Sequence, residues 1–217
     1  MEALHEIRWG RVTPRAIELL KSRQQAAIVA ANGIRPVRLF THRADVDGVN
    51  AESLAKIPGR AIEFRAIDTI ARRGAAQLLE RTCPAPRSLH LKVGAQVILR
   101  RNLAQEEGLV NGAQGVVVRF AGNTRLPVVR FNLPAGPKEV TVHRQTFDAI
   151  QDGRMAASRK QLPLALAFAL SVHRSQGMTL HAVSMSLSSS FEYGQVYVAL
   201  SRASSLLALS LEDAFNP

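Results

Sequence analysis

The stretch ALAFALSVHRSQGMTL, residues 165–180, constrains this chain more than any other. From Leu162 to Val172 the residues are nearly all apolar, the composition of a strand covered on both faces. The apolar run stops abruptly at His173, Arg174, Ser175, Gln176 and Gly177. A buried strand that ends in a polar, glycine-containing loop is the layout of an open α/β sheet, where ligands bind beyond the carboxyl ends of strands. Gly177 lets backbone N–H groups approach a phosphate, and Ser175, Gln176 and Thr179 add short hydrogen-bonding side chains. Arg174 and His173 are able to pair with anionic oxygens. An ordinary polar turn that caps a helix has the same composition, so the cluster alone leaves both readings open.

Upstream, ALHEIRWGRVTPRAIELLKSRQ reads as two helices broken at Gly10, with Thr13 capping the second and Pro14 at its first position. RPVRLFT is a strand, and Val46, Val49 and Leu54 follow at helical spacing until Pro58-Gly59 stops the element. AIEFRAID alternates apolar and polar residues as one half-exposed strand. Residues 70–86 read as helix plus loop. LHLKVGAQVILR, GAQGVVVRF, LPVVRF and KEVTVHRQ are short β-branched runs divided by turn residues, which suggests an inserted small barrel or a plain antiparallel sheet. After it the α/β pattern returns. AVSMSLSSS is a strand, and SSFEYGQVYVALSRA is a helix opened by a capping box from Ser189 to Glu192, with Tyr193, Val196, Tyr197 and Leu200 on one face. Near its end Arg202 either satisfies the last helix carbonyls or reaches across a cleft to a nucleoside triphosphate.

Charge narrows the partner. Lys and Arg number 28 against 17 Asp and Glu, a formal net charge of +11, which favours a polyanion such as nucleic acid over a merely solvating surface. With one cysteine, Cys83, the chain cannot form an internal disulfide or a cysteine-rich zinc site. No segment approaches the ~20 continuous apolar residues of a membrane helix, and MEALHEIRWG lacks the apolar core of a secretion signal. The expectation is a soluble, intracellular protein with no membrane partner.

SVHRSQGMTL followed by FEYGQVYVALSRASSL resembles the fifth and sixth motifs of the Pif-type (petite integration frequency) DNA helicases of superfamily one. LKVGAQVILRRNL with GLVNGAQGVVVRF resembles the barrel inserted in their second motor domain. RLFTHRADVDGVNAESL is similar to the fourth motif, and HEIRWGRVTP to the end of the first motor domain. The resemblance implies a RecA-like, P-loop NTPase-type second motor domain carrying an inserted Src-homology-like β-barrel. Its implied boundaries are a first-domain remnant at 1–27, the second motor domain at 28–86 and 160–217, and the barrel at 87–159. It further implies ATP-driven 5′ to 3′ unwinding of single-stranded and structured DNA, in repair, recombination, replication and telomere maintenance, in nucleus or mitochondrion. Position by position, it makes Arg202 an arginine finger and places Gln176 and Gly177 at the nucleotide cleft. His173, Arg174 and Ser175 would couple that cleft to the DNA backbone, and Thr41 and His42 would touch DNA phosphates. The family often has Asn where His42 stands.

Such a motor also needs a phosphate cradle, G-x-x-x-x-G-K-[ST], to hold ATP and Mg²⁺. No Gly-Lys pair occurs in the chain, and neither Glu106-Glu107 nor Glu212-Asp213 is expected to end an apolar strand. The chain is therefore expected to hold no metal, to lack the first motor domain and to be inactive alone, needing that domain in cis or trans. The alternative is a non-catalytic, basic module that binds single-stranded DNA.

Overall fold

The computed structural model describes residues 2–11, 13–28, 34–186 and 194–213. The chain divides into two compact units, one of residues 1–53 with 167–217 and one of residues 54–166.

The first unit opens with α1 (Glu2–Arg8) and α2 (Pro14–Lys21). Thr13 caps α2, its hydroxyl oxygen accepting from the Ala16 amide at 3.3 Å, with Pro14 at the first helical position as expected. α2 buries Ala16 and Leu20, and the Arg23 guanidinium donates to the Leu209 carbonyl at 2.9 Å. Next come β1 (Val37–Phe40) and α3 (Arg43–Lys56), which runs across the boundary between the units.

The second unit is all antiparallel apart from one helix. It contains β2 (Ile62–Arg65), β3 (Ile67–Ile70), α4 (Ala75–Thr82), β4 (Ser88–Leu91), β5 (Gln96–Leu99) and β6 (Gln114–Phe120). It continues with β7 (Pro127–Leu133), β8 (Gly136–Thr141), β9 (Gln145–Gln151), β10 (Arg154–Gln161) and β11 (Leu164–Leu166). These form sheets in the orders β11-β5-β6-β7-β8, β3-β10-β9 and β2-β4, a small barrel-like insertion. The expected single strand AIEFRAID is two, because β2 pairs with β4 while β3 pairs with β10. An ion cluster around the buried Arg159 ties β3, β10, α4 and the following loop together. The Arg159 side chain is 2% exposed and donates from Nε and Nη2 to the two Asp68 oxygens at 2.8 Å, from Nη2 to Glu80 at 2.6 Å and from Nη1 to the Ala85 carbonyl at 3.1 Å. Hydrogen bonding to Arg159 holds the Asp68 carboxyl below its ordinary pKa, although burial opposes that shift.

The chain re-enters the first unit with β12 (Ala169–Ser171), β13 (Val183–Met185), α5 (Gln195–Leu200) and β14 (Leu209–Leu211). With β1 they form a parallel sheet in the order β12-β1-β13-β14. The apolar run that reads as one strand from Leu162 to Val172 is thus two: β11 pairs with β5 and β12 with β1. Each half is apolar because each enters a core, and the cores differ. Alternation in the sheet buries Val37, Leu39, Val183, Met185, Leu209 and Leu211 on one face. On the other, Arg38 forms a bidentate pair with Glu212 at 2.8 Å, and the Ser184 hydroxyl donates to Glu212 at 2.6 Å. The expected capping box from Ser189 to Glu192, and Tyr193, lie outside the described residues.

Candidate functional site

Because every strand of the sheet in the first unit is parallel, the loops that follow the strands emerge at one edge. Phe40 pairs with Ser171, so Thr41 and His42 after β1 stand beside the turn that follows β12. That turn is a 3₁₀ segment, His173–Ser175, joined to β1 by the Val172 amide donating to the Phe40 carbonyl at 2.9 Å. His42, His173, Arg174 and Gln176 are exposed and Thr41 is half-buried. Ser175 differs: it is fully buried, and its hydroxyl donates to the Val172 carbonyl at 2.7 Å. Its side chain therefore shapes the turn instead of presenting oxygen to a ligand. Gly177 has φ +75°, and an added Cβ would meet nothing within 4 Å, so the glycine answers to backbone conformation and not to crowding.

Arg202 lies just past the end of α5 and turns inward. Its Nε donates to the Val198 carbonyl at 2.9 Å, Nη1 to the Met178 carbonyl at 3.2 Å and the Ser175 carbonyl at 3.4 Å, and Nη2 to the Ser201 hydroxyl at 2.8 Å. The backbone closes the same contact, the Leu180 amide donating to the Arg202 carbonyl at 2.8 Å. The arginine and the turn around Gly177 are thus one packed unit. Among the described residues all four side-chain acceptors are neutral, so no carboxylate offsets the positive guanidinium. The guanidinium thus satisfies a carbonyl in the last turn of its helix, as one of the two sequence readings has it, and it also packs against the polar turn.

Sequence reasoning passed over Asn50. Its side chain is buried in α3, accepting at Oδ1 from the Phe168 and Ala169 amides at 3.1 and 3.0 Å and donating from Nδ2 to the Ala169 carbonyl at 3.0 Å. A signal was present, since Val46, Asn50 and Leu54 are four residues apart and all buried, which puts an amide in the apolar stripe of a helix.

Residues 76–120 match the family described as DNA helicase Pif1, 2B domain. Over 216 residues the chain is 45% identical to the ATP-dependent DNA helicase PIF1 of Danio rerio, a match covering 99% of this chain and 33% of that protein. The crystal structure of the Pif1 helicase from Candida albicans is similar with a TM-score of 0.79 and 33% identity, over 99% of this chain and 53% of that one. The structure of the Pif1 helicase from Bacteroides in complex with ADP-AlF3 and ssDNA is similar with a TM-score of 0.64 and 28% identity, over 100% of this chain and 49% of that one. The chain spans about a third of the length of the curated relative from Danio rerio.

Proposed function

This chain is of the Pif1 helicase type in sequence and fold along its whole length, and we propose that it serves as the second half of an ATP-dependent DNA motor. In this reading residues 1–27 end a first motor domain, 28–86 and 160–217 belong to the second, and 87–159 are the inserted barrel, although by packing 54–86 and 160–166 join the insertion. His42, His173 and Arg174, with Thr41, meet the phosphates of single-stranded DNA, while Gln176, Gly177 and Arg202 face a nucleotide held by another domain. The observation that carries it is the contact of Arg202 with the Ser175 and Met178 carbonyls, which joins a cation suited to a γ-phosphate to a turn whose exposed face is basic. ATP and Mg²⁺ suit such a partner domain: the residues here offer a guanidinium, an amide and a glycine turn, which make one wall of a phosphate site. When bound, ATP supplies the phosphoryl group whose transfer drives the motor. Arg202 must exchange neutral carbonyl acceptors for phosphate oxygens to reach it, a swap favoured by charge. Directional 5′ to 3′ unwinding, work on structured DNA in repair, recombination, replication and telomere maintenance, and a nuclear or mitochondrial setting belong to the same reading.

Fluorescence anisotropy with a labelled oligonucleotide tests the DNA half. Binding should weaken as salt rises, with a log–log slope of about 0.7 per phosphate contact, and Arg174→Ala should lower that slope by about one contact. Binding that is absent, indifferent to salt or untouched by Arg174→Ala overturns it.

A further inference from the structure

The hydrogen bonds of Asn50 complete a strand edge. Among the described residues β12 is the outermost strand of its sheet, and its inner edge is occupied by β1: the Arg38 amide donates to the Phe168 carbonyl at 3.0 Å and the Val172 amide to the Phe40 carbonyl at 2.9 Å. The amide and carbonyl of Ala169 point away from β1, where the next strand would normally meet them. The Asn50 side chain takes both, at 3.0 Å each, and adds the Phe168 amide at 3.1 Å. One carboxamide, both acceptor and donor, thus stands in for a missing neighbour strand.

The placement matters because of what each end leads to. α3 begins immediately after Thr41 and His42, and Asn50 is two turns into it. β12 ends at Ser171, where the Arg174 amide donates to the Ser171 hydroxyl at 3.3 Å and the 3₁₀ turn starts. A strand of three residues has little sheet pairing to hold its register. We propose that Asn50 is a positioning residue that fixes β12 along its axis against α3, and so holds the His173–Arg174 turn in register with the Thr41–His42 loop for one DNA backbone. This rests on the reading of those loops as DNA contacts.

The test compares Asn50→Asp with Leu211→Ala in the 217-residue chain. Asp keeps the two acceptor bonds but sets a carboxylate oxygen against the Ala169 carbonyl. Leu211 is fully buried in β14, at the far edge of the same sheet, and its loss destabilises without touching β12. Asn50→Asp should weaken oligonucleotide binding about tenfold and lower the salt slope by about one contact, or ~0.7. Leu211→Ala, measured at a temperature where it is folded, should leave the slope unchanged. If Asn50→Asp does not fold, Asn50→Ala, which removes the bonds without adding charge, carries the same expectation. Slopes unaltered by either Asn50 variant, or altered equally by Leu211→Ala, overturn the proposal. Where Arg174→Ala changes the slope and the Asn50 variants do not, only this inference fails; where Arg174→Ala changes nothing, the DNA reading fails with it.

Discussion

Two inward-turned arginines, one in each unit, show how differently this chain uses the same side chain. Arg159 in the insertion is buried and meets two carboxylates, Asp68 and Glu80, so its charge is consumed inside the fold. Arg202 in the parallel unit is half-buried and, among the described residues, meets only carbonyls and a hydroxyl. A neutralised guanidinium holds elements together, whereas one bonded to neutral acceptors still attracts an anion. The amides show no such divergence. Gln161 in the insertion, like Asn50, is buried and meets three backbone groups: the Phe64 and Pro86 carbonyls at 2.8 and 3.2 Å and the Leu162 amide at 2.8 Å. Both units fix their irregular segments with amides, and the two arginines part over whether a carboxylate meets the cation.

The strongest way to break the contrast is to open the Arg159 cluster. Asp68→Ala strands a buried cation with only a half-exposed Glu80 beside it. It should cost about 3 kcal/mol, read from the urea midpoint; a loss under ~1 kcal/mol would mean that the cluster does not hold the insertion. In the parallel unit the corresponding weak point is conformational. Gly177→Ala forces a side chain into φ +75° with free space around it, which should cost about 1–2 kcal/mol without a packing clash. A neutral result would place the turn in another backbone conformation.

Acid should separate the units less sharply. Asp68 is held down by Arg159, and Glu212 chiefly by its hydrogen bond to Arg38, both below their ordinary values. A depressed carboxylate stabilises the fold above its unfolded pKa, near 4, and that stability is lost as pH falls through the lower folded value. Denaturation midpoints should therefore stay level from about pH 7 to 5 and decline below about 4. Arg38 is 44% exposed, so solvent screening keeps the Glu212 share under about 1 kcal/mol, and Arg38→Met should remove only that part of the decline. A steeper loss in Arg38→Met would put more charge coupling in the parallel unit than its exposure allows.

The same division governs what was legible in the sequence. In the parallel unit β1 and β13 read as short runs ending in polar loops, and the helical spacing of Val46 and Leu54 marks α3, whereas β14 does not read as a strand although Glu212-Asp213 directly follows it. β9 and β10 did not read as strands. RMAASRKQ carries two arginines and a lysine, and its burial comes from the Asp68 and Glu80 partners that sequence spacing does not reveal. The run through Leu162 to Val172 misled in the opposite sense, since apolarity reports burial and says nothing of which sheet buries it. Of the proposed site, the exposed His42, His173, Arg174 and Gln176 were visible as polar residues beside apolar strands, while the inward Ser175 and the strand-like role of Asn50 required three dimensions.

The central claim is that the unspent charge of Arg202 completes a nucleotide site formed with another domain. Its most direct measurement is ATP hydrolysis stimulated by single-stranded DNA, with a Pif1-type first motor domain supplied in trans. The wild-type chain should restore turnover, and Arg202→Ala, measured at a temperature where it is folded, should reduce it by about 10³-fold or more. Full turnover with Arg202→Ala would contradict the account.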